Sequence, residues 1–180
     1  MHASGTSIRE YAHVTEALRD HRAAGDRRER MRAICDALWD AFGLNAPAQG
    51  PPNKPVRLSW VGFYSKTAGR DEMILEVRRD KPACSPLGLE GCCGRCWKGR
   101  RPVVVRDVRA MEGGYIACDP KDLSEVVVPL FEPDGSCWGV LDIDSYEPNA
   151  FDANDATHLT AIVESCALSA KGHAGPLQVL

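Results

Sequence analysis

The chain has no apolar stretch approaching the roughly 20 residues that a helix needs to span a bilayer, and Met1-His2-Ala3-Ser4-Gly5 carries no signal-peptide core. A membrane partner and a secretory route are therefore not expected, and the expected location is the cytoplasm. Positive charge is also scarce: the formal charge is -3, and the basic clusters Arg27-Arg28-Glu29-Arg30 and Lys98-Gly99-Arg100-Arg101 are short and interrupted. Such clusters read as solvated faces, so no nucleic acid partner is expected. Internal repeats and low-complexity segments are absent, which excludes solenoid and fibrous architectures. What remains is ordinary globular composition: 180 residues, 44% hydrophobic and 26% charged, enough for one domain with a real core.

Cysteine is what the chain has in abundance. Eight in a reducing compartment point to redox chemistry, metal binding or packing rather than to a static disulfide framework. Cys93-Gly94-Arg95-Cys96 is a C-x-x-C pair, but no second pair follows and no histidine lies nearby in sequence, so zinc ranks below redox chemistry and no metal is assigned. A thioredoxin-like setting is missing as well. Cys35 and Cys166 fall on helical core stripes, and Cys137 is expected on the face of its strand opposite Asp142, as a packed thiol.

Helical spacing of Met31, Ile34, Cys35, Leu38 and Phe42, closed by Gly43, predicts a helix that ends near residue 44. The Pro/Gly-rich stretch 45–55 is an exposed connector. Strand-like runs follow around Trp60 to Tyr64, Met73 to Val77, Val103 to Val105, Val126 to Phe131 and Cys137 to Ile143. Phe151-Asp152-Ala153-Asn154-Asp155 opens a last helix that carries Leu159, Ile162, Val163, Cys166 and Ala170 on one face. This order predicts an α+β domain with a mostly antiparallel sheet and helices from both ends packed on it. Its parts are N-terminal helices over 1–44, the connector over 45–55, a sheet, cysteine-rich lid and C-terminal helix over 56–172, and a loose tail over 173–180.

Within the run Cys137-Trp138-Gly139-Val140-Leu141-Asp142-Ile143-Asp144, alternation puts Asp142 and Asp144 on one side and Leu141 and Ile143 on the other. Two carboxylates on one wall of a buried strand need a cation, a proton or water, and a ligand pocket supplies all three. The same alternation groups Leu58, Trp60, Gly62 and Tyr64, so Trp60 and Tyr64 are candidates to line one cavity.

The segments Trp60-Val61-Gly62-Phe63-Tyr64, Lys81-Pro82-Ala83-Cys84, Gly91-Cys92-Cys93-Gly94, Ile116-Ala117-Cys118-Asp119, Ser124-Glu125 and Leu141-Asp142-Ile143-Asp144-Ser145 together resemble the GAF-domain free methionine-(R)-sulfoxide reductases, over residues 56 to 165. The resemblance implies a single GAF-like domain that reduces free methionine-(R)-S-oxide without a cofactor. It implies Cys118 as nucleophile and Cys84 and Cys93 as candidates to resolve its sulfenic acid, with Cys84 favoured, and a thioredoxin-type reductant. Glu125, Asp142 and Asp144 are implied as pocket carboxylates, one of them kept protonated by crowding, with Trp60, Tyr64, Tyr115, Ile116 and the amides of Gly91, Cys92, Cys93 and Gly94 around the substrate. A homodimer is implied too. Cys92 stands where the family has a small apolar residue, and Tyr115 where many members have histidine. The competing reading is a GAF sensor that binds a small ligand, or reports thiol oxidation, without turnover.

Overall fold

The computed structural model describes residues 9–21, 25–47, 56–111 and 118–180. Helix α1 (Ala12–Ala17) precedes α2 (Arg27–Phe42). A capping box starts α2: the Glu29 amide donates to Asp26 Oδ1 at 2.8 Å while the Asp26 amide donates to Glu29 Oε2 at 2.9 Å. Met31, Ile34, Cys35, Leu38 and Phe42 are buried along it, and Gly43 follows as its C-cap. No described helix is long and apolar enough to cross a membrane.

Strands β1 (Trp60–Lys66), β2 (Glu72–Arg79) and β3 (Leu87–Gly88) form a meander; α3 (Cys92–Gly99), β4 (Val103–Val105), β5 (Ser124–Phe131), β6 (Cys137–Ser145), α4 (Ala153–Ser165) and β7 (Gln178–Val179) complete the chain. The seven strands make one sheet in the order β3-β2-β1-β6-β5-β4-β7. All neighbours are antiparallel except β4 and β7. Asp152 caps α4 in the same reciprocal way as Asp26 caps α2, here with Asp155.

Register sorts the two faces. Val61, Ile143 and Val126 lie side by side across β1, β6 and β5, as do Phe63, Leu141 and Val128. All six are buried in the apolar core shared with α2 and α4. The opposite face lies under α3 and carries the polar rows described below.

Three expectations change. Leu58 precedes the strand, so it escapes the alternation and joins the helix-covered core, its amide donating to the Phe42 carbonyl at 2.8 Å. Cys137 is not opposite Asp142: an irregularity pairs Leu130 with Gly139 and Phe131 with Cys137, which leaves Trp138 as an extra residue and reverses the alternation. Trp138 therefore packs on the helix-covered core, while half-buried Cys137 interacts with Cys96 of α3. The segment 173–180 is not a loose tail. Its amides at Gln178 and Leu180 donate to the carbonyls of Pro102 and Val104, at 2.9 and 2.8 Å, because the outer edge of β4 has no other partner.

Nothing in the sequence reading marked Arg9. Its buried guanidinium pairs with Asp155 at 3.2 Å, donates to the Ala150 carbonyl at 2.7 Å and covers the Phe151 ring, tying the N-terminal segment to the start of α4.

Candidate active site

Strand pairing alone assembles the floor of the site. Trp60, Asp144 and Glu125 form one row across β1, β6 and β5, and Gly62, Asp142 and Val127 form the next. Gly62 leaves a gap beside Asp142, and the Trp60 ring lies across it: a Cβ on Gly62 would sit 2.3 Å from the indole. Gly62→Ala is accordingly expected to push Trp60 aside at a cost of about 1–3 kcal/mol, read as a lower melting temperature together with a shifted tryptophan emission; an unchanged spectrum would refute this packing.

Helix α3 closes the floor from one side. Cys93 donates to Asp142 Oδ2 at 3.3 Å, and ligand atoms of Cys93, Glu125 and Asp142 lie within 4.8 Å of one another, all buried. Burial first, then repulsion from Glu125, holds the Asp142 carboxyl well above its ordinary range. Burial and then Asp142 and Glu125 do the same to Asp144. Burial first, then the nearby Glu125 carboxylate, pushes the Cys92 thiol up. Gly91 is the N-cap of α3 and offers no side-chain cap for the first amides of the helix, and Gly91, Cys92 and Cys93 all line the site.

The other wall is a strap formed by residues 81–84. Both rings of β1 hold it by its carbonyls, Trp60 Nε1 donating to Lys81 at 3.0 Å and Tyr64 OH to Cys84 at 3.1 Å. Lys81 forms an ion pair with Asp119 and also donates to Tyr146 OH at 2.5 Å, and that hydroxyl donates to Asp119 at 3.0 Å. Burial alone would lower the Lys81 ammonium, but the bonds to Asp119 and Tyr146 outweigh it and hold the group charged. The pair joins the residue just after Cys118 to the residue three before Cys84. Cys118 and Cys84 are both exposed, and the two thiols lie close enough to feel each other's charge. Burial of the sulfur and then that Cys84 contact push the Cys118 thiol up to about 12.

Between these walls lies a narrow cavity of about 30 Å³, room for one or two waters. Of the residues singled out in the sequence, Trp60, Tyr64, Gly91, Cys92, Cys93, Cys118, Glu125, Asp142 and Asp144 line it, and Cys84 borders it through Tyr64 and Cys118. Gly94 does not line it; a Cβ there would meet the Leu89 carbonyl oxygen at 2.0 Å, so its smallness serves helix packing. Tyr115 and Ile116 lie outside the described residues. The sequence reading gave no role to Lys81, Asp119 or Asp122, although the first two sit inside quoted motifs. Asp122 is a fourth buried carboxylate, accepting from Ser59 Oγ at 2.6 Å. Burial raises its carboxyl despite that hydrogen bond.

The family model for the GAF domain matches residues 24–169. The chain belongs to the GAF domain family. Among relatives of this GAF domain, GAF domain-containing protein A of Dictyostelium discoideum is 37% identical over 58% of this chain and 65% of its own length. The free methionine-R-sulfoxide reductase of Saccharomyces cerevisiae is 34% identical over 61% of each chain. The GAF domain thus spans less than two thirds of the length of these curated relatives. The X-ray structure of free methionine-R-sulfoxide reductase from Neisseria meningitidis in complex with its substrate superposes with a TM-score of 0.73 at 32% identity, covering 92% of this chain and 93% of that one. The α+β expectation and the family resemblance agree with these matches.

Proposed function

We propose that this GAF domain is a free methionine-(R)-sulfoxide reductase. The observation that carries the reading is the pairing of Cys118 with the neighbouring thiol of Cys84 at a cavity floored by Glu125, Asp142 and Asp144. The names and substrate complex of its relatives support it.

In this reading Glu125 and Asp144 hold the ammonium of the free amino acid, the amides of Gly91, Cys92 and Cys93 receive its carboxylate, and Trp60 and Tyr64 enclose the side chain. Tyr115 and Ile116 are proposed to line the substrate as well. Cys118 sulfur attacks the sulfoxide sulfur. The S–O bond breaks, the oxygen passes to Cys118 as sulfenic acid, the thiol proton ends on that oxygen, and methionine leaves. Asp142, held protonated by burial and by Glu125, hydrogen-bonds the sulfoxide oxygen while the bond polarises. Cys84 thiol then condenses with the sulfenic acid, a disulfide forms and water departs. A thioredoxin-type dithiol restores both thiols. Cys93 is the second candidate resolver, but its sulfur bonds Asp142, which supports Cys84 as the first. A cytoplasmic, dimeric enzyme is part of the proposal; eight free cysteines support a reducing compartment.

The test supplies purified protein with resolved free methionine-(R)-S-oxide or (S)-S-oxide, thioredoxin, thioredoxin reductase and NADPH. NADPH loss on the R form alone is expected. No turnover on either form, even with dithiothreitol, would overturn the reading in favour of a ligand sensor.

A further inference from the structure

The proposed reaction leaves Cys93 without a first role, yet its sulfur is fully buried against the carboxylate floor. Three donors converge there. Cys93 Sγ and Asp142 Oδ2 are 3.3 Å apart, close to the roughly 3.6 Å separating sulfur and oxygen ligands of a tetrahedral zinc ion with ordinary bond lengths. Glu125 completes a triangle whose members lie within 4.8 Å of one another. Asp142 is more than nine-tenths buried, and its second oxygen, Oδ1, has no hydrogen-bond partner among the described residues although the residue faces the cavity. An oxygen in that position is met by a proton or by a cation.

Charge points the same way. Asp122 and Asp144 are buried on the same wall, and Lys81, the one Lys or Arg among the described lining residues, is already engaged by Asp119. A thiolate beside two carboxylates discriminates among dications: magnesium and calcium prefer all-oxygen shells, whereas zinc accepts sulfur and oxygen together. Cys92, the thiol that replaces a small apolar residue, lies near Glu125 and places a second sulfur next to the triangle.

We infer that Cys93, Glu125 and Asp142 form a binding site for a thiophilic divalent cation of the zinc class, open to the cavity on its fourth side. On binding, the Cys93 S–H and the Asp142 carboxyl each give a proton to solvent, and sulfur–metal and oxygen–metal bonds form with no change of oxidation state. The ion takes Glu125 and Asp142, proposed to hold the substrate ammonium and to meet its sulfoxide oxygen, so it excludes the amino acid. That exclusion rests on the reductase reading; the metal binding does not.

Cobalt(II) titration of the reduced full chain under anaerobic conditions tests the site. A sulfur-to-cobalt charge-transfer band saturating at a single equivalent, and displaced by zinc, is expected. Cys93→Ser should abolish the band and weaken zinc binding at least about 10-fold against a chromophoric chelator. Asp142→Asn should weaken it by a similar factor and keep the charge-transfer band at high cobalt, which shows that the sulfur site survives loss of an oxygen ligand. Cys84→Ser and Cys118→Ser should leave the titration unchanged. Absence of the band at saturating cobalt overturns the inference, as does a band that survives Cys93→Ser and disappears with the exposed Cys84–Cys118 pair. If the cobalt spectrum appears while sulfoxide turnover does not, the reductase reading fails and the metal site stands.

Discussion

Cys118→Ser is expected to reduce turnover of free methionine-(R)-S-oxide by more than about 10³-fold, the scale on which loss of a covalent nucleophile is felt. Serine is close to cysteine in volume and Cys118 is exposed, so the fold should be unaffected; what is lost is a polarisable sulfur able to accept oxygen. Cys84→Ser separates the two halves of the cycle. Its Cys118 still meets the sulfoxide, so rapid mixing should release a burst of one methionine per protein, and thioredoxin should then fail to support further rounds because no disulfide forms. Dithiothreitol, which attacks a sulfenic acid directly, should restore part of the steady rate. Mass spectrometry after the burst should find the Cys118 sulfur oxidised. Full thioredoxin-linked turnover in Cys84→Ser would transfer the resolving role to Cys93.

The second large effect joins activity to stability. Asp142→Asn removes the buried proton proposed to meet the sulfoxide oxygen, and a loss of about 10²-fold or more in kcat is the expected outcome. The same substitution should stabilise the fold at neutral and alkaline pH. Burial and Glu125 hold the Asp142 carboxyl well above its ordinary range, which lies near about 3.9 in an unfolded chain. A carboxyl raised in this way favours folding fully below the unfolded value and loses that contribution as pH climbs through the folded one. Asparagine cannot ionise. The melting temperature of Asp142→Asn minus that of the unaltered protein should therefore grow more positive from about pH 4 upward. Difference curves isolate the effect from Asp119, whose carboxyl is lowered chiefly by Lys81 and acts in the opposite direction. A difference that is flat or falls with pH would show that Asp142 is not forced to stay neutral.

How much of this was legible beforehand depends on the range of the interaction. Alternation along a single strand sufficed to put Asp142 with Asp144 and Trp60 with Tyr64, and the Asp152 and Gly43 signals are local by nature. The row Trp60–Asp144–Glu125 needs β1 to pair with β6, far from it in sequence, and the irregular register of the β5–β6 hairpin, so it was reachable only through family resemblance. Gly62 looked like any glycine; its purpose is visible only once the Trp60 ring is seen folded back over it. Cys137 was misplaced because one extra residue inverts an alternation that a sequence pattern assumes to be unbroken. Asp122, Lys81 and Asp119 were missed for a common reason: each acts through a partner on another segment, Ser59, Asp119 and Lys81 respectively, and a charged residue outside a regular strand carries no periodic signal.

The order of strands also says something about company. At the β4 end of the sheet the flanking strand, β7, is two residues long, and a neighbouring polypeptide would find almost no unpaired backbone there to zip onto. Val103 to Val105, an all-valine run of the kind that seeds aggregation when its edge is bare, is sheltered by the last residues of the chain. The strand β7 thus acts as a safety seam, and copies of the protein that associate are not expected to stitch their sheets together across β4.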